Sequence, residues 1–476
     1  MLFSSLIFIF AFLPAVLAVY YLVPRSGKNT VLMLSSLIFY MWGGVSLSVI
    51  LFASILFNYL FGLWINKCER GKKVPLVIGI IFNLLMLGTF KYGNFLIENI
   101  NHLLNLAGIN PVKDPGIILP LGISFFTFQS MSYLIDVYRK ETPVQKNLFY
   151  LALYISFFPQ LIAGPIVRYH DLAPQLLSRK ESLSLFANGV ERFIIGLVKK
   201  VIIANQFAII SHEAFSIPVD VLPQSLAWAG MISYSFQIYF DFAGYSDMAI
   251  GLGLMFGFHL PENFNFPYLA TSIRKFWKSW HITLGQWLMD YLYIPLGGNR
   301  KSNFRTYFNL LIIFIVCGFW HGASWNFLLW GLVHGAFMSI ERLWLEKNVL
   351  NRAGKIIPAL YTFSIATFAW VLFETKDFEH TKGFYKVLFL GNDSMLGSNY
   401  LSAVFKQNFL LIAIPSVLGS FGFFRWLNIK LTAIMPEFAS QPIVKGIKVA
   451  VMLIAIFTIT LLLISNTYNP FIYFRF

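Results

Sequence analysis

Long apolar runs recur along the whole chain, and they limit the possible folds more than any other feature. A helix of about 20 apolar residues crosses the hydrocarbon core of a membrane, and such runs recur from Met1 onward. Only 12% of the 476 residues are charged, about half the fraction in ordinary soluble domains. Residues 77–90 and 449–464 are apolar on nearly every side, which excludes the period-2 alternation of a β-barrel. The sequence therefore predicts an all-α polytopic membrane protein.

We predict about 11–13 transmembrane or re-entrant helices, with additional amphipathic helices at the interface. The first apolar run lacks a basic leader and a small-residue cleavage site, so it is predicted to be a retained helix and not a signal peptide. The predicted spans lie near residues 2–22, 31–47, 49–66, 75–97, 117–138, 147–165, 188–210, 228–258, 306–320, 323–342, 357–374, 408–425 and 447–465.

The formal net charge of +15 indicates membrane topology and not a nucleic-acid partner. The basic residues form short clusters between apolar runs, and such loops stay on the cytoplasmic side. Clusters near 25–28, 67–73 and 139–146 place the amino terminus outside and make residues 98–116 external. The two cysteines, Cys68 and Cys317, offer no disulfide framework or metal-ligand spacing, so we predict no metal.

We predict one membrane domain over residues 1–476, because no internal repeat or Pro/Gly/Ser-rich linker divides the chain. It contains a polar and amphipathic segment at 258–303 and an aromatic tail at 466–476. Within the first segment, residues 274–293 read RKFWKSWHITLGQWLMDYLY. Their spacing predicts one amphipathic helix against the membrane interface, with its tryptophans on the apolar face.

His321 lies in an apolar run, CGFWHGASWNFLLWG at 317–331. An ionisable group is costly there and is a functional hypothesis by default. Gly318 and Gly322 flank it and permit a close backbone approach or a helix break. The alternative is a buried histidine that bonds a backbone carbonyl.

Two further histidines have weaker signals. His281 lies at the edge of the apolar face of 274–293, so it either lines a reaction site or packs in the core. His334 is thirteen residues beyond His321 and would face the opposite side of a continuous helix, which favours packing or a polar contact.

Two carboxylates, Asp241 and Asp247, lie in the apolar run YFDFAGYSDMAIGLG at 239–253. They must pair inside the protein or face water. They could orient a histidine, bind a hydroxyl-rich acceptor or form a structural polar network. The chain lacks HExxH, GxSxG, P-loop and GxGxxG motifs, so an enzyme of this kind is expected to use a histidine base and an activated donor.

Five ordered motifs resemble the membrane-bound O-acyltransferase family along nearly the full chain. They are most similar to the bacterial branch that contains the membrane subunits of alginate and peptidoglycan O-acetyltransferases. The motifs are LPLGISFFTFQSMSYLIDVYR from Leu119, FFPQLIAGPIVRYHDLAPQL from Phe157, YFDFAGYSDMAIGLGLMFGF from Tyr239, FWKSWHITLGQWLMDYLYIPLGGNR from Phe276 and FWHGASWNFLLWG from Phe319.

The resemblance implies that His321 is catalytic, as a general base, and that His281 is a second catalytic group that orients or polarises. Asp290 lies within a motif and either assists on the cytoplasmic side or is a surface charge. Acetyl-CoA is the implied donor, and a cell-surface polysaccharide is the implied acceptor. The resemblance also implies an extracytoplasmic SGNH-hydrolase-like partner and a place in the bacterial inner membrane.

The ending NPFIYFRF resembles the carboxy-terminal motif of the small membrane protein that accompanies the D-alanyl transferase of teichoic acid synthesis. By that resemblance Tyr473 is a candidate acyl relay, and the alternative is an aromatic anchor at the interface. Basic residues near 425–448 predict a cytoplasmic loop, so the last span would run outward and leave Tyr473 outside.

Two other functions stay open at this point. One is a transporter or flippase with Asp241, Asp247 and His321 along its path. The other is an acyltransferase of the same family that acts on a lipid or protein hydroxyl.

Overall fold

A computed structural model describes residues 1–392, 409–434 and 441–465, together with Ile472. These residues form helices and connecting loops and contain no β-strand, which confirms the all-α prediction. Tertiary contacts divide the chain into two compact units. Unit 1 contains Met1–Gly189 and Leu252–Pro261, and unit 2 contains Val190–Gly251 and Glu262–Arg475.

The helices of unit 1 are short and medium-length, and several are joined through π-helical turns. Phe8–Phe12 is π-helical and leads into the first α-helix, and Gly88–Tyr92 joins two others. The α-helices are α1 Leu13–Leu22, α2 Arg25–Met41, α3 Val45–Lys67, α4 Lys73–Leu87, α5 Gly93–Leu106, α6 Ile123–Arg139, α7 Leu148–Ser156, α8 Phe158–Leu161 and α9 Tyr169–Leu177.

The helices that follow belong mainly to unit 2. They are α10 Leu183–Leu197, α11 Asn205–Ser216, α12 Gln224–Met255, α13 Ile273–Trp277, α14 Ile282–Leu288, α15 Asn303–His321, α16 Trp325–Ile340, α17 Glu346–Asn348, α18 Ile356–Glu374, α19 Phe378–Leu390, α20 Phe409–Ser420, α21 Phe423–Ile434 and α22 Pro442–Ser465. Further π-helical segments are Val198–Ala204, Met289–Tyr293 and Glu341–Leu345.

Six helices of the described residues are long and apolar enough to cross a membrane, which confirms a multi-pass membrane protein. A seventh crossing is formed if the pair Phe409–Ser420 and Phe423–Leu431, bent by 67°, counts as one span. The six are Val45–Lys67, Lys73–Leu106, Leu183–Ser216, Asn303–His321, Ile356–Glu374 and Pro442–Ser465.

Two predicted helices are interrupted. The predicted span at 147–165 is divided at Phe157 into α7 and α8. The single amphipathic helix predicted for 274–293 is wrong. His281 adopts a left-handed backbone conformation, with φ 42°, between α13 and α14, and a β-carbon makes that conformation too costly inside a right-handed helix. The apolar face is nevertheless buried, as Trp280 and Trp287 show.

Helices α15 and α16 form a tight hairpin, and glycines set their separation. A methyl group at Gly331 would lie 2.1 Å from the carbonyl oxygen of Phe314, and one at Gly318 would lie 2.1 Å from that of Phe327. The two backbones therefore touch where any larger residue would force them apart. Gly322 ends α15 and lets the chain reverse into α16.

We expect Gly331→Ala to destabilise this hairpin by about 1–3 kcal/mol, because a backbone carbonyl cannot move aside as a flexible side chain can. The matched control is Gly446→Ala in α22, where a methyl group meets no described atom within 4 Å. That change removes a helical glycine without a clash and gains up to about 1 kcal/mol. The measurement is the temperature at which the detergent-solubilised protein loses its monodisperse form. Equal melting of the two variants would contradict the hairpin contact.

Candidate active site

His321 is the last residue of α15 and lies in an aromatic pocket. Its side chain is 1% exposed, and its ring centroid is 5.0 Å from that of Trp320 and 5.2 Å from those of Trp330 and Phe373. The hairpin creates this setting, because Trp330 comes from α16 and packs back onto the end of α15. The C-terminal end of a helix stabilises a positive charge. An imidazole there is suited to accept a proton from a reacting hydroxyl.

Asn263 holds His281 in one orientation. The Asn263 Oδ1 atom accepts the backbone N–H of Thr283 at 3.3 Å and the Thr283 hydroxyl at 2.8 Å, while Nδ2 donates to Ser246. Oδ1 is therefore the acceptor at 3.2 Å from His281 Nδ1, and Nδ1 must carry the hydrogen. The lone pair of His281 lies on Nε2, which has no hydrogen-bond partner among the described residues.

The structure brings His281 and His321 to one indole ring. The His281 centroid is 6.1 Å from Trp320 and 4.6 Å from Phe242, and Trp320 also contacts His321. Burial lowers the pKa of His281 to about 3, so its imidazole is neutral at physiological pH. A neutral ring with an Nε2 lone pair can accept a hydrogen bond from a hydroxyl group without holding a proton.

His334 packs beside the same pocket. Trp277 Nε1 donates to its Nδ1 at 3.3 Å, and its ring is 4.9 Å from Trp330. The predicted packing and polar contact are thus confirmed. The expectation that His334 faces away from His321 is wrong, because the chain reverses between them and both rings contact Trp330.

The two carboxylates of α12 pair with cations of α10 and of the π-helical segment Val198–Ala204 that follows α10. Asp241 Oδ1 lies 2.7 Å from Lys200 Nζ. Asp247 binds Arg192 at 2.6 Å and Lys199 at 2.5 Å. Of the alternatives left open by the sequence, the polar network describes them best, and Asn263 orients the histidine instead.

Two predicted site residues remain, Asp290 and Tyr473. Asp290 lies half-buried in the π-helical segment Met289–Tyr293. Tyr473 lies outside the described residues.

The sequence did not predict a role for Asn263, because nothing in its position along the chain distinguishes it from Asn265 in the same polar stretch. Only the contact with His281 identifies it.

A large cleft in unit 2 borders the His281 site. Its volume is about 1140 Å³, which is above the usual range for small-ligand pockets. Asn263 and Ile282, the residue after His281, line one part of it, and apolar residues of α22 line another. Its walls also carry four cationic side chains and three carboxylates, namely Arg192, Lys199, Arg425, Lys448, Glu191, Asp247 and Glu262.

A shallower recess of about 380 Å³ shares Arg425 with this cleft. Lys275 and Lys278 lie on its rim. Arg425 contacts the Asn265 amide oxygen at 3.4 Å, and no ion pair of Arg425 is formed within the described part of the chain. The recess therefore collects positive charge that an anionic ligand group can neutralise.

Comparisons with known proteins show the family to which the chain belongs. Residues 138–374 match the model of MBOAT, the membrane-bound O-acyltransferase family. The chain is 40% identical to the probable alginate O-acetylase AlgI of Pseudomonas aeruginosa, over 93% of this chain and 85% of that protein. The chain belongs to the membrane-bound O-acyltransferase family. It is therefore an O-acyltransferase, and the resemblance noted from the motifs is confirmed.

Two other relatives extend the comparison. The peptidoglycan O-acetyltransferase of Helicobacter pylori is 40% identical over 80% of this chain and 78% of its own length. The teichoic acid D-alanyltransferase of Bacillus subtilis is 29% identical over 55% of this chain and 70% of its own length. The matched family region, 138–374, contains His281, His321 and Asn263.

We expect Asn263→Leu to lower acyl transfer per folded molecule on the order of 10²-fold, because His281 loses the contact that fixes its ring. Asn309→Leu is the matched control. Asn309 is also a buried amide, but it bonds the carbonyl oxygens of Leu296 and Gly298. Initial rates on equal amounts of monodisperse protein measure the effect. Similar losses in both variants would show that Asn263 acts only through stability.

Proposed function

We propose that this protein transfers acetyl groups from cytoplasmic acetyl-CoA across the bacterial inner membrane for O-acetylation of a cell-surface polysaccharide. The observation that carries the proposal is the pair His281 and His321 at Trp320, next to a charged cleft in a multi-pass membrane enzyme. Alginate and peptidoglycan, the polymers in the names of two relatives, indicate the class of acceptor.

The cleft and recess suit a CoA thioester. Arg425, Lys275 and Lys278 would bind its phosphates, which need cationic partners. The apolar wall formed by α22 would receive the uncharged arm that carries the thioester. Basic residues around Arg425 and Lys448 favour the cytoplasmic side for this opening. A charged CoA cannot cross the membrane, whereas an acetyl group can be passed through a narrow channel.

In the proposed reaction, His321 takes the proton of an attacking hydroxyl as its oxygen bonds to the thioester carbonyl carbon. The carbon–sulfur bond then breaks, and the proton from His321 passes to the leaving thiolate. His281 orients the hydroxyl through its Nε2 lone pair. Asp290 is a candidate supporting residue in the same motif.

Delivery to the polymer is proposed to need a partner. Similarity to the alginate and peptidoglycan O-acetyltransferase branch supports an extracytoplasmic SGNH-hydrolase-like enzyme as the partner that would complete the transfer. Tyr473 would carry the acetyl group between the two as an ester. Membership of an acyltransferase family favours this function over the transporter hypothesis.

We expect His321→Gln to lower ester-linked acetate on the surface polymer by at least about 10²-fold, since the general base is lost. Purified His321→Gln protein should also fail to cleave acetyl-CoA. His334→Gln is the matched control, because His334 is a buried histidine that contacts the same Trp330 ring. We expect it to keep most of the activity. Normal acetylation in cells that express His321→Gln at the wild-type level would refute the proposed function.

We expect a trapped reaction with acetyl-CoA and no acceptor to leave an acetyl ester on Tyr473, because the phenol is a competent nucleophile once a base removes its proton. Mass spectrometry of the carboxy-terminal peptide measures it. Tyr473→Phe should lose both the ester and polymer acetylation. Tyr468→Phe, in the same tail, should keep both. An unmodified Tyr473 in the trapped wild-type protein would refute the relay.

A further inference from the structure

A buried ion pair in unit 2 is not used by the reaction described above. Lys200 and Asp241 are each 2% exposed, and their charged atoms are 2.7 Å apart. Lys200 lies in the membrane-crossing helix Leu183–Ser216. Ionisable groups inside a membrane are costly and usually serve a function. Such a pair also adds little stability compared with apolar residues of similar size.

Ile472, a residue of the carboxy-terminal tail, binds this ion pair. The backbone N–H of Ile472 donates to Asp241 Oδ2 at 2.9 Å, and Ile472 is 6% exposed. Asp241 therefore uses one carboxylate oxygen for Lys200 and the other for the tail. A backbone N–H buried in an apolar region needs an acceptor, and a charged acceptor makes the stronger bond.

The backbone holds the ion pair in place. A methyl group at Gly244, three residues after Asp241, would lie 2.8 Å from the carbonyl oxygen of Gly196 and 3.0 Å from the backbone nitrogen of Lys200. The two helices thus touch beside the ion pair. Lys200 belongs to the π-helical segment Val198–Ala204, and such segments often occur at functional sites.

The last helix meets the same region. Helix α22 packs against the π-helical segment Val198–Ala204, and Lys448 near its start pairs with Glu191 at 2.5 Å. The chain leaves α22 after Ser465, and Ile472 then contacts Asp241 of α12. The carboxy-terminal tail therefore begins at the end of α22 and is bound to α12 through Ile472.

We propose that Asp241, held by Lys200, is a docking site that positions the carboxy-terminal tail for its part in acyl transfer. Asp241 acts through the tail as a positioning residue, since it binds the backbone of the residue that precedes Tyr473. When Ile472 is held in place, the neighbouring Tyr473 can reach fewer positions, and its phenol returns more often to the same place. The relay part of this inference rests on the proposed function, whereas the docking part does not.

Two double variants separate docking from the ion pair. Lys200→Met with Asp241→Asn removes both charges and keeps an oxygen that accepts the Ile472 N–H. Lys200→Met with Asp241→Leu removes the charges and also the acceptor, while the side chain keeps the same branching and number of heavy atoms as asparagine. Both lose the bond from Lys200 to Asn205. Replacement of a whole buried pair is commonly tolerated, and monodisperse elution from a sizing column checks folding.

Hydrogen exchange at the Ile472 amide of the full chain in lipid nanodiscs tests docking without any substrate. We expect wild type and the asparagine double variant to be protected, and the leucine double variant to exchange at least about tenfold faster. Equal exchange in the two double variants overturns the proposal.

The second measurement is the acetyl ester on Tyr473 per acetyl-CoA cleaved. We expect this ratio to fall at least about tenfold in the leucine variant relative to the asparagine variant, since an unanchored tail is rarely in place. A general loss of stability would lower the ester on Tyr473 and the cleavage of acetyl-CoA together, and their ratio would stay the same. An unchanged ratio therefore overturns the positioning role. If wild type carries no ester, the relay is refuted, and exchange at Ile472 alone decides docking.

Discussion

The cost of an unpaired polar group away from water is the constraint on which the active region depends. Several buried polar side chains of unit 2 find their partners inside the protein. The amide of Asn263 meets this demand for three groups at once, since its oxygen accepts from Thr283 twice and from His281. Its fixed orientation decides which nitrogen of His281 carries the hydrogen. The tautomer of His281 thus follows from hydrogen-bond satisfaction.

Close backbone packing brings the polar groups to their places. The glycines of α15 and α16 allow two helices to touch, and Trp330 then covers His321. Gly196 and Gly244 allow another pair of helices to touch, and Lys200 then reaches Asp241. In both cases small residues supply the approach, and large or charged residues one turn away supply the site. Precise placement of reacting groups depends on such rigid contacts.

The two carboxylates of α12 have different partners. Asp247 pairs with Arg192 and Lys199 on the wall of the charged cleft. Asp241, less than two turns earlier, faces Lys200 and the tail. One apolar helix with two carboxylates can therefore border the charged cleft and also bind Ile472, because each carboxylate has its own cationic partners.

The sequence by itself determined the class of the protein. Apolar run length required membrane helices, and five ordered motifs indicated the family and pointed to His321 and His281. It also identified Asp241 and Asp247 as groups that must be paired. These conclusions depend only on composition and on the order of residues along the chain.

Only the tertiary structure decided how these groups meet. The periodicity of 274–293 predicted one continuous helix, but the left-handed conformation of His281 interrupts it. The chain reverses after Gly322, and this reversal brings His334 to the pocket of His321. Asn263 as the partner of His281, and Asp241 as the partner of the tail, join residues far apart in the chain. Such pairs depend on packing between helices, and no local spacing in the sequence encodes them.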